Sequence, residues 1–552
     1  MDNVRVILWA VLASLLWLAA TQWQRTYTPV PEVVTETSIR KAAQSTLPAV
    51  PSDDSDGVPG VPLGDSPAVV DATKTVEQTA LITVKTDVLD ISISMAGGNL
   101  VQAYLPRYPL NKDEPDKFVQ LLNDDPEAIY VLRSGLRSTE GKSEATHHAV
   151  YTAAQDSYEL RSGTDELQVP LVWEQDGIQV IKTYTFRRGN YAIGLDYTVV
   201  NSTDESYTAF SYQQLHRVYA PMERSMFNVD TYSYDGPVIF DGDSYEKLDV
   251  DDLREEPLDA VYTNGWVAAI EHHFLTAAVP EKGTPEKYVA GFDGRNYTLT
   301  ASGPVKLIKP GTTEGFSGQF FVGPKLQTQL AKTAAGLPLT VDYGILAVLS
   351  QPLFWLLGKV HSFVGNWGWT IIIVTFLIKL VFYKLTQTSG RSMAKMRKLQ
   401  PRLKKLQERY KDDRQAMSAA LMDLYKSEKV NPAAGCLPML VQIPFFIAFY
   451  WVLLESVEMR QAPFILWITD LSVRDPYFIL PLLMGGAMFI QQKLNPAPPD
   501  PIQAKVMSIL PIVFTGFFAF FPAGLVLYWL TNSVLSILQQ WQINRVVAAE
   551  SS

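Results

Sequence analysis

The sequence predicts two architectures on one chain: an α-helical polytopic membrane core, with six spans in all, and a large all-β domain outside the membrane. Three observations carry this. Residues 344–552 hold 20 basic and 11 acidic side chains, which leaves 27 and 46 of the chain's 47 and 57 for residues 1–343. Apolar stretches of membrane-crossing or near-crossing length recur in the back half and once at the front. Between them lies period-two alternation, the mark of half-buried strands. An acidic polar front and a basic apolar back exclude one uniform soluble globule. They also exclude a nucleic-acid binder, whose basic footprint would lie on a folded soluble face. The single cysteine, Cys436, excludes an intrachain disulfide and a cysteine-ligated zinc site.

The first apolar run, Val6 to Ala20, follows Arg5 and precedes Trp23 and Arg25. Ala19-Ala20-Thr21-Gln22 is a poor cleavage site, so residues 1–25 are expected to be an uncleaved anchor and not a signal peptide. Residues 26–76 contain seven prolines and the acidic Asp53, Asp54 and Asp56 without periodicity, which predicts a disordered linker.

The back half offers six apolar stretches: Tyr343–Gly358, Trp367–Gln387, Ala433–Leu454, Tyr477–Gln492, Val506–Phe521 and Gly524–Trp541. Residues 388–430 carry twelve basic side chains against five acidic ones and belong in the cytoplasm by the positive-inside rule. With the amino terminus inside and the β domain outside, one crossing is allowed between residues 343 and 388. Trp367–Gln387 takes it, because Gln351-Pro352 interrupts the earlier stretch. Residues 343–364 are therefore expected to form an interfacial amphipathic helix. The remaining stretches alternate correctly, with a tight turn at Pro522-Ala523-Gly524 and Arg545 inside. Both termini are cytoplasmic on this reading. The five-span core covers 365–545, with a short tail at 546–552. Ten of the twelve tryptophans lie in or beside these stretches, as interfacial belts require.

Residues 77–342 are expected to form an antiparallel sandwich. Ile82, Val84, Ile91, Ile93 and Met95 alternate toward a turn at Gly97-Gly98. Ile178, Val180 and Thr183–Phe186 face a second strand, Tyr191–Val200, across Arg188-Gly189-Asn190, and Asp176-Gly177 marks a further turn. His147-His148 and His272-His273 are the obvious metal candidates, but neighbours on a strand point to opposite faces, so structural roles are expected and no metal site. No nucleophile elbow or phosphate-cradling glycine loop occurs. The chain is not expected to be an enzyme or to need a cofactor.

The five carboxy-terminal spans, as bounded above, contain no Asp or Glu and two lysines, Lys379 and Lys384. Lys384 lies near the inner end and can snorkel. Lys379 lies near the middle of its span, where a charge costs on the order of 3 kcal/mol. It either snorkels inward or faces a wet cavity. Thr375 shares its helical face, and Asn532 and Ser536 share another by the same four-residue spacing. Gln442 and Ser533 add further polar groups, each of which could be ordinary interhelical packing. Together with an unpaired lysine they suggest a hydrophilic pocket, and the lack of a carboxylate disfavours ion-coupled transport. In 392–429, Met396, Leu399, Leu403, Leu406 and Tyr410, then Met417, Leu421 and Leu424 after Asp412-Asp413, predict an antiparallel helical hairpin with basic outer faces. It attracts anionic lipid or docks a ribosome or targeting factor.

The stretches GNWGWTIIIVTFLIKL, SMAKMRKLQPRLKKLQERYKDDRQ, EKVNPAAGCLPMLVQIPFFIAFYWVL, RQAPFILWITDLS, DPYFILPLLMGGAMFIQQKLNP and FFPAGLVLYWLTNSVLSILQQ resemble the YidC/Oxa/Alb family of membrane-protein insertases. LITVKTDVLDISIS resembles the periplasmic domain of its Gram-negative members. The resemblance implies a periplasmic β-supersandwich, related to sugar-binding folds without established catalysis, and a core groove open to cytoplasm and lipid. Lys379 falls where the family carries its groove charge, commonly Arg, and Thr375 and Gln442 match groove-lining positions. Phe446, Phe517 and Trp529 match the hydrophobic slide that substrate helices contact. The hairpin 388–430, with Arg397, Arg402, Lys404, Lys405, Asp412 and Asp413, matches the family's cytoplasmic hairpin.

The implied function is insertion of nascent inner-membrane proteins, alone or with the Sec translocon. Ribosome and signal-recognition factors would be transient partners, and the short tail predicts no ribosome binding through a tail. The alternative is a binding or transport protein whose β domain captures a carbohydrate or anion.

Overall fold

A computed structural model describes residues 80–141, 143–220, 233–410, 413–428, 437–494 and 501–549. The expected anchor and linker, Asp412 and the last three tail residues lie outside these.

Two sheets, of eleven and nine strands, share one buried apolar core. Strand Leu81–Lys85 pairs antiparallel with Asp90–Ser94 in the register Ile82 to Ile93 and Val84 to Ile91. All four side chains are buried, so the alternation seen in the sequence becomes one inward face. Asp176 and Gly177 both have positive φ, 49° and 78°, between strands Glu166–Gln175 and Ile178–Arg187. Two-residue hairpins favour Asp-Gly for that geometry. Ile178–Arg187 and Ala192–Asn201 then pair Val180 with Val199.

Three features depart from the expected sandwich. Strand Leu81–Lys85 also pairs parallel with Ser157–Glu159. Two short helices interrupt the strands, α1 (Val250–Glu255) and α2 (Gln327–Thr333). Each is at most two turns, too short for helical spacing to register. The histidine pairs sit in turns and not on strands, and their rings lie together: His147 and His148 have centroids 4.2 Å apart, His272 and His273 3.7 Å. A turn lacks the alternation that would separate neighbouring side chains. Among the described residues no group of three or more metal-ligating side chains occurs. His147 is buried against the Tyr212 hydroxyl, 2.7 Å from its Nδ1.

The helical region contains α3 (Ala347–Val364), α4 (Trp367–Val381), α5 (Tyr383–Arg409), α6 (Arg414–Ser427), α7 (Leu437–Glu455), α8 (Ile479–Leu494), α9 (Pro501–Phe518) and α10 (Ala523–Ala549). By length and composition, Gly344–Val364 is the one described helix able to cross a membrane alone. Trp367–Val381 and Tyr383–Leu403 qualify together but bend by 69°, and Val441–Glu455, Ile479–Leu494 and Lys505–Phe518 are shorter apolar helices.

The expected span Trp367–Gln387 is thus broken at Phe382. No proline or glycine stands there. Phe382 N–H bonds back to Ile378 O to close the first helix, and Phe382 O accepts from Thr386 N–H to open the next, while the residues stay apolar across the break, so hydropathy alone could not see a change of direction. For the same reason the hairpin's first helix begins at Tyr383, not near 392, and runs through Pro401. Asp413 caps α6 as expected, its carboxylate accepting from the Gln415 and Ala416 N–H groups at 3.0 Å. The stretch expected at Val506–Phe521 is helical from Pro501 to Phe518. Gly485 of α8 allows close approach of α9, since a Cβ there would collide with Thr515 Oγ1.

Candidate functional site

Four of the predicted polar residues form one connected chain across three helices. Lys379 on α4 donates from Nζ to Ser536 Oγ on α10 at 2.8 Å. Ser536 donates in turn to Asn532 O, one helical turn back, at 2.7 Å. From α7, Gln442 Nε2 donates to Asn532 Oδ1 at 2.5 Å. Four-residue spacing supplies the within-helix step, and helix packing supplies the rest. Among the described residues no carboxylate pairs with Lys379, so its charge is met by a neutral hydroxyl.

Thr375, Lys379, Gln442 and Asn532 line a narrow cleft of about 20 Å³ together with Phe382, Phe445 and Tyr528. That volume is close to what one water occupies. The Thr375 hydroxyl donates to Ile371 O of its own helix at 2.6 Å, and its side chain is buried. Ser533 is also buried, but it does not line the cleft.

The three aromatics expected on the slide fall in two contacts. Phe446 and Trp529 meet edge to face with centroids 4.5 Å apart. Phe517, half exposed on α9, instead meets Phe518 edge to face and Phe521 at a tilt, and Phe518 in turn contacts Trp529. In the hairpin, Arg402 pairs with Glu428 across α5 and α6. Arg397 reaches Leu494 O at 3.4 Å, and Lys405 is exposed. Lys404 lies on α5, and Asp412 falls outside the described residues. Ala394 packs with Ile543 and Val547, which anchors the hairpin's stem on the end of α10.

Two residues escaped the sequence reading. Tyr528 lines the cleft and lies four residues before Asn532, a spacing already in use for Ser536. Glu455, the last residue of α7, is buried with side-chain exposure of 4% and pairs with Lys325 of the β domain at 3.7 Å. It stands one residue beyond the stretch from which acidic residues are absent.

A sequence family described as 60Kd inner membrane protein matches residues 359–550, and the YidC periplasmic domain matches residues 81–356. The membrane protein insertase YidC of Thioalkalivibrio sulfidiphilus is 49% identical over 99% of this chain and 98% of its own. That of Nitrosococcus oceani is 47% identical over the full length of both. A solved structure described as an active YidC insertase with its first transmembrane domain resolved covers 84% of this chain and 92% of its own, at 19% identity and a TM-score of 0.38. The molecule is therefore an inner-membrane protein with a helical carboxy-terminal region and a large β-rich periplasmic domain. The chain belongs to the family of YidC membrane protein insertases.

Proposed function

We propose that this chain moves nascent inner-membrane proteins from the Lys379 cleft into the bilayer, alone or with the Sec translocon, and assists their folding. The observation that carries this reading is the hydrogen-bonded chain Lys379–Ser536–Asn532–Gln442 set among apolar helices. A cation held by neutral partners attracts a polar or acidic segment without binding it permanently. Such a segment drawn partway across the bilayer faces a lower desolvation barrier than in lipid. The following apolar segment then passes Phe446 and Trp529 into lipid, and its burial drives the step. No bond is made or broken in these steps. The roles of Thr375, Ser533 and Phe517 belong to the same proposal.

The topology we infer has six spans: an anchor in residues 1–25, then α4, α7, α8, α9 and α10, with both termini cytoplasmic. Contacts to the β domain support the outer ends. Lys112 Nζ reaches Thr469 O, Arg460 Nη2 reaches Pro109 O at 2.9 Å, and Arg474 bridges to Pro522. The loop between α7 and α8 and the turn before α10 thus share the β domain's side. Arg397 reaching Leu494 O supports a hairpin at the other ends.

Two further contacts support an interfacial α3, although its length would let it span. Gly344, at its start, approaches Trp451 near the outer end of α7, and Asn366, just past its end, donates to Pro463 O and Phe464 O. Both ends therefore face the β-domain side. The basic hairpin is the proposed contact for ribosomes, targeting factors and anionic lipid.

A photo-crosslinkable residue at Thr375, and another at Phe446, tests the reading while ribosomes synthesise a short single-span protein. Adducts to the nascent chain that vanish on its release into lipid are expected. None at either position, with the protein folded, would return Lys379 to a snorkelling role. Capture and transport of a carbohydrate or anion is not favoured, since the chain belongs to an insertase family over its whole length.

A further inference from the structure

A cavity of about 490 Å³ lies where the β domain rests on the outer ends of the helices, within the size range of small-ligand sites. Its lining carries opposite charges that do not cancel locally. Asp235 and Glu271 share a single guanidinium, that of Arg217, at 2.9 and 3.0 Å, so this cluster keeps one negative charge. Lys112 and Arg460 line the same cavity, and their hydrogen bonds go to the backbone carbonyls of Thr469, Pro109 and Leu110. Among the residues lining the cavity, the one carboxylate on their side is Asp470, which accepts from the Gln461 and Ser472 N–H groups and the Ser472 hydroxyl. That side keeps one positive charge. His273 also lines the cavity; it is 8% exposed, and its Nδ1 has no hydrogen-bond partner among the described residues. Leaving such an atom unsatisfied is unfavourable, so the site calls for a polar group beside it.

We propose that this cavity holds a zwitterionic amine–phosphate headgroup, that of a phosphatidylethanolamine in the outer leaflet. Its ammonium sits on Asp235 and Glu271, and its phosphate sits between Lys112 and Arg460. A primary ammonium offers three donors to carboxylates that, among the described residues, are bonded only by Arg217, whereas a quaternary one offers none. The lipid fastens the β domain to the membrane surface. This rests on the topology proposed above, which sets the outer end of α7 at headgroup level.

The test uses the full-length protein in detergent, titrated with short-chain phosphatidylethanolamine, phosphatidylcholine and phosphatidylglycerol. Native mass spectrometry counts the adducts, and the shift of the unfolding midpoint gives affinity. The ethanolamine lipid is expected to bind about tenfold more tightly than either other lipid. Glu271→Gln should erase most of that preference while leaving phosphatidylglycerol adducts unchanged, whereas Lys112→Met should weaken all three lipids together; Asp235→Asn serves if Glu271→Gln misfolds. Equal binding of all three lipids, or preference intact in the carboxylate variants, overturns the proposal. Displacement of bound lipid by soluble phosphoethanolamine supports headgroup recognition. Binding of phosphoethanolamine without any binding of the diacyl lipid overturns the lipid source. The crosslinks at Thr375 and Phe446 do not depend on this cavity, so each reading can fail alone.

Discussion

Lys379 is held by one hydroxyl, so what the residue contributes is the sign of its charge. Lys379→Glu keeps a partner in Ser536 but reverses that sign, and insertion of a short single-span protein into proteoliposomes should fall by at least about tenfold. Lys379→Arg should be tolerated, because the guanidinium keeps the charge and can still donate to Ser536. Full activity in Lys379→Glu would end the charged-cleft reading. A second residue makes a prediction about pH. Glu286, on strand Pro285–Phe292, is 6% exposed, and burial pushes its carboxyl up to about 8 from 4.5, with the Thr284 hydroxyl and Lys306 opposing. The folded protein therefore holds this proton more tightly than the unfolded chain does. The resulting stabilisation is full below about pH 4.5 and is lost as pH rises through 8. Glu286→Gln mimics the protonated form. It should melt a few degrees above the parent near pH 9 and show no advantage at pH 4. Circular dichroism melts of the whole protein at the two pH values check this, and a gain of equal size at both would refute it.

At the scale of elements, the joint between the β domain and α7 turns on one buried ion pair. Lys325 follows strand Thr313–Pro324 and Glu455 ends α7; Ser233 donates to Glu455 at 2.7 Å, and Lys325 donates to Thr340 O at 3.3 Å. Removing one partner of such a pair leaves an uncompensated charge, so Lys325→Met should cost about 3–5 kcal/mol in denaturant unfolding. Adding Glu455→Leu should recover most of it, and failure of the double variant to recover would show that the pair is not what matters. This joint was not legible in the sequence, because the partners lie far apart in the chain and Glu455 sits just past an apolar run. What was legible follows a short period. Alternation located the strands, Asp176-Gly177 located a hairpin, and Asp413 located the start of α6. Four-residue spacing put Thr375 with Lys379 and Asn532 with Ser536. The contact of Gln442 with Asn532 is tertiary, and no local pattern encodes it. The bend at Phe382 has no helix breaker to announce it, and the turns holding the paired histidines imitate a strand to any reader of local composition.

The whole molecule makes the sharpest test of how its two parts depend on each other. The hydrogen-bonded chain that crosses the cleft is built from α4, α7 and α10 alone. The β domain meets the helices elsewhere, through Lys112 at Thr469, Arg460 at Pro109, His272 at Leu454 O and Lys325 at Glu455. Deleting residues 77–330 removes Lys325, but it also removes the cover over Glu455, whose carboxylate then meets water and no longer needs a partner. The point substitution Lys325→Met keeps the cover and removes the partner. Loss of the whole domain should therefore harm the core less than loss of one of its lysines. Insertion by the deleted protein is expected to stay within about threefold of the full chain, as for independent sites. Lys325→Met in the full chain should lower both the folded yield and the insertion rate further. The comparison needs one substrate, one lipid mixture and matched amounts of the two proteins in proteoliposomes. Complete loss of insertion on deletion would tie the cleft to the β domain. A harmless Lys325→Met would mean that Glu455 finds its proton or its water inside the joint.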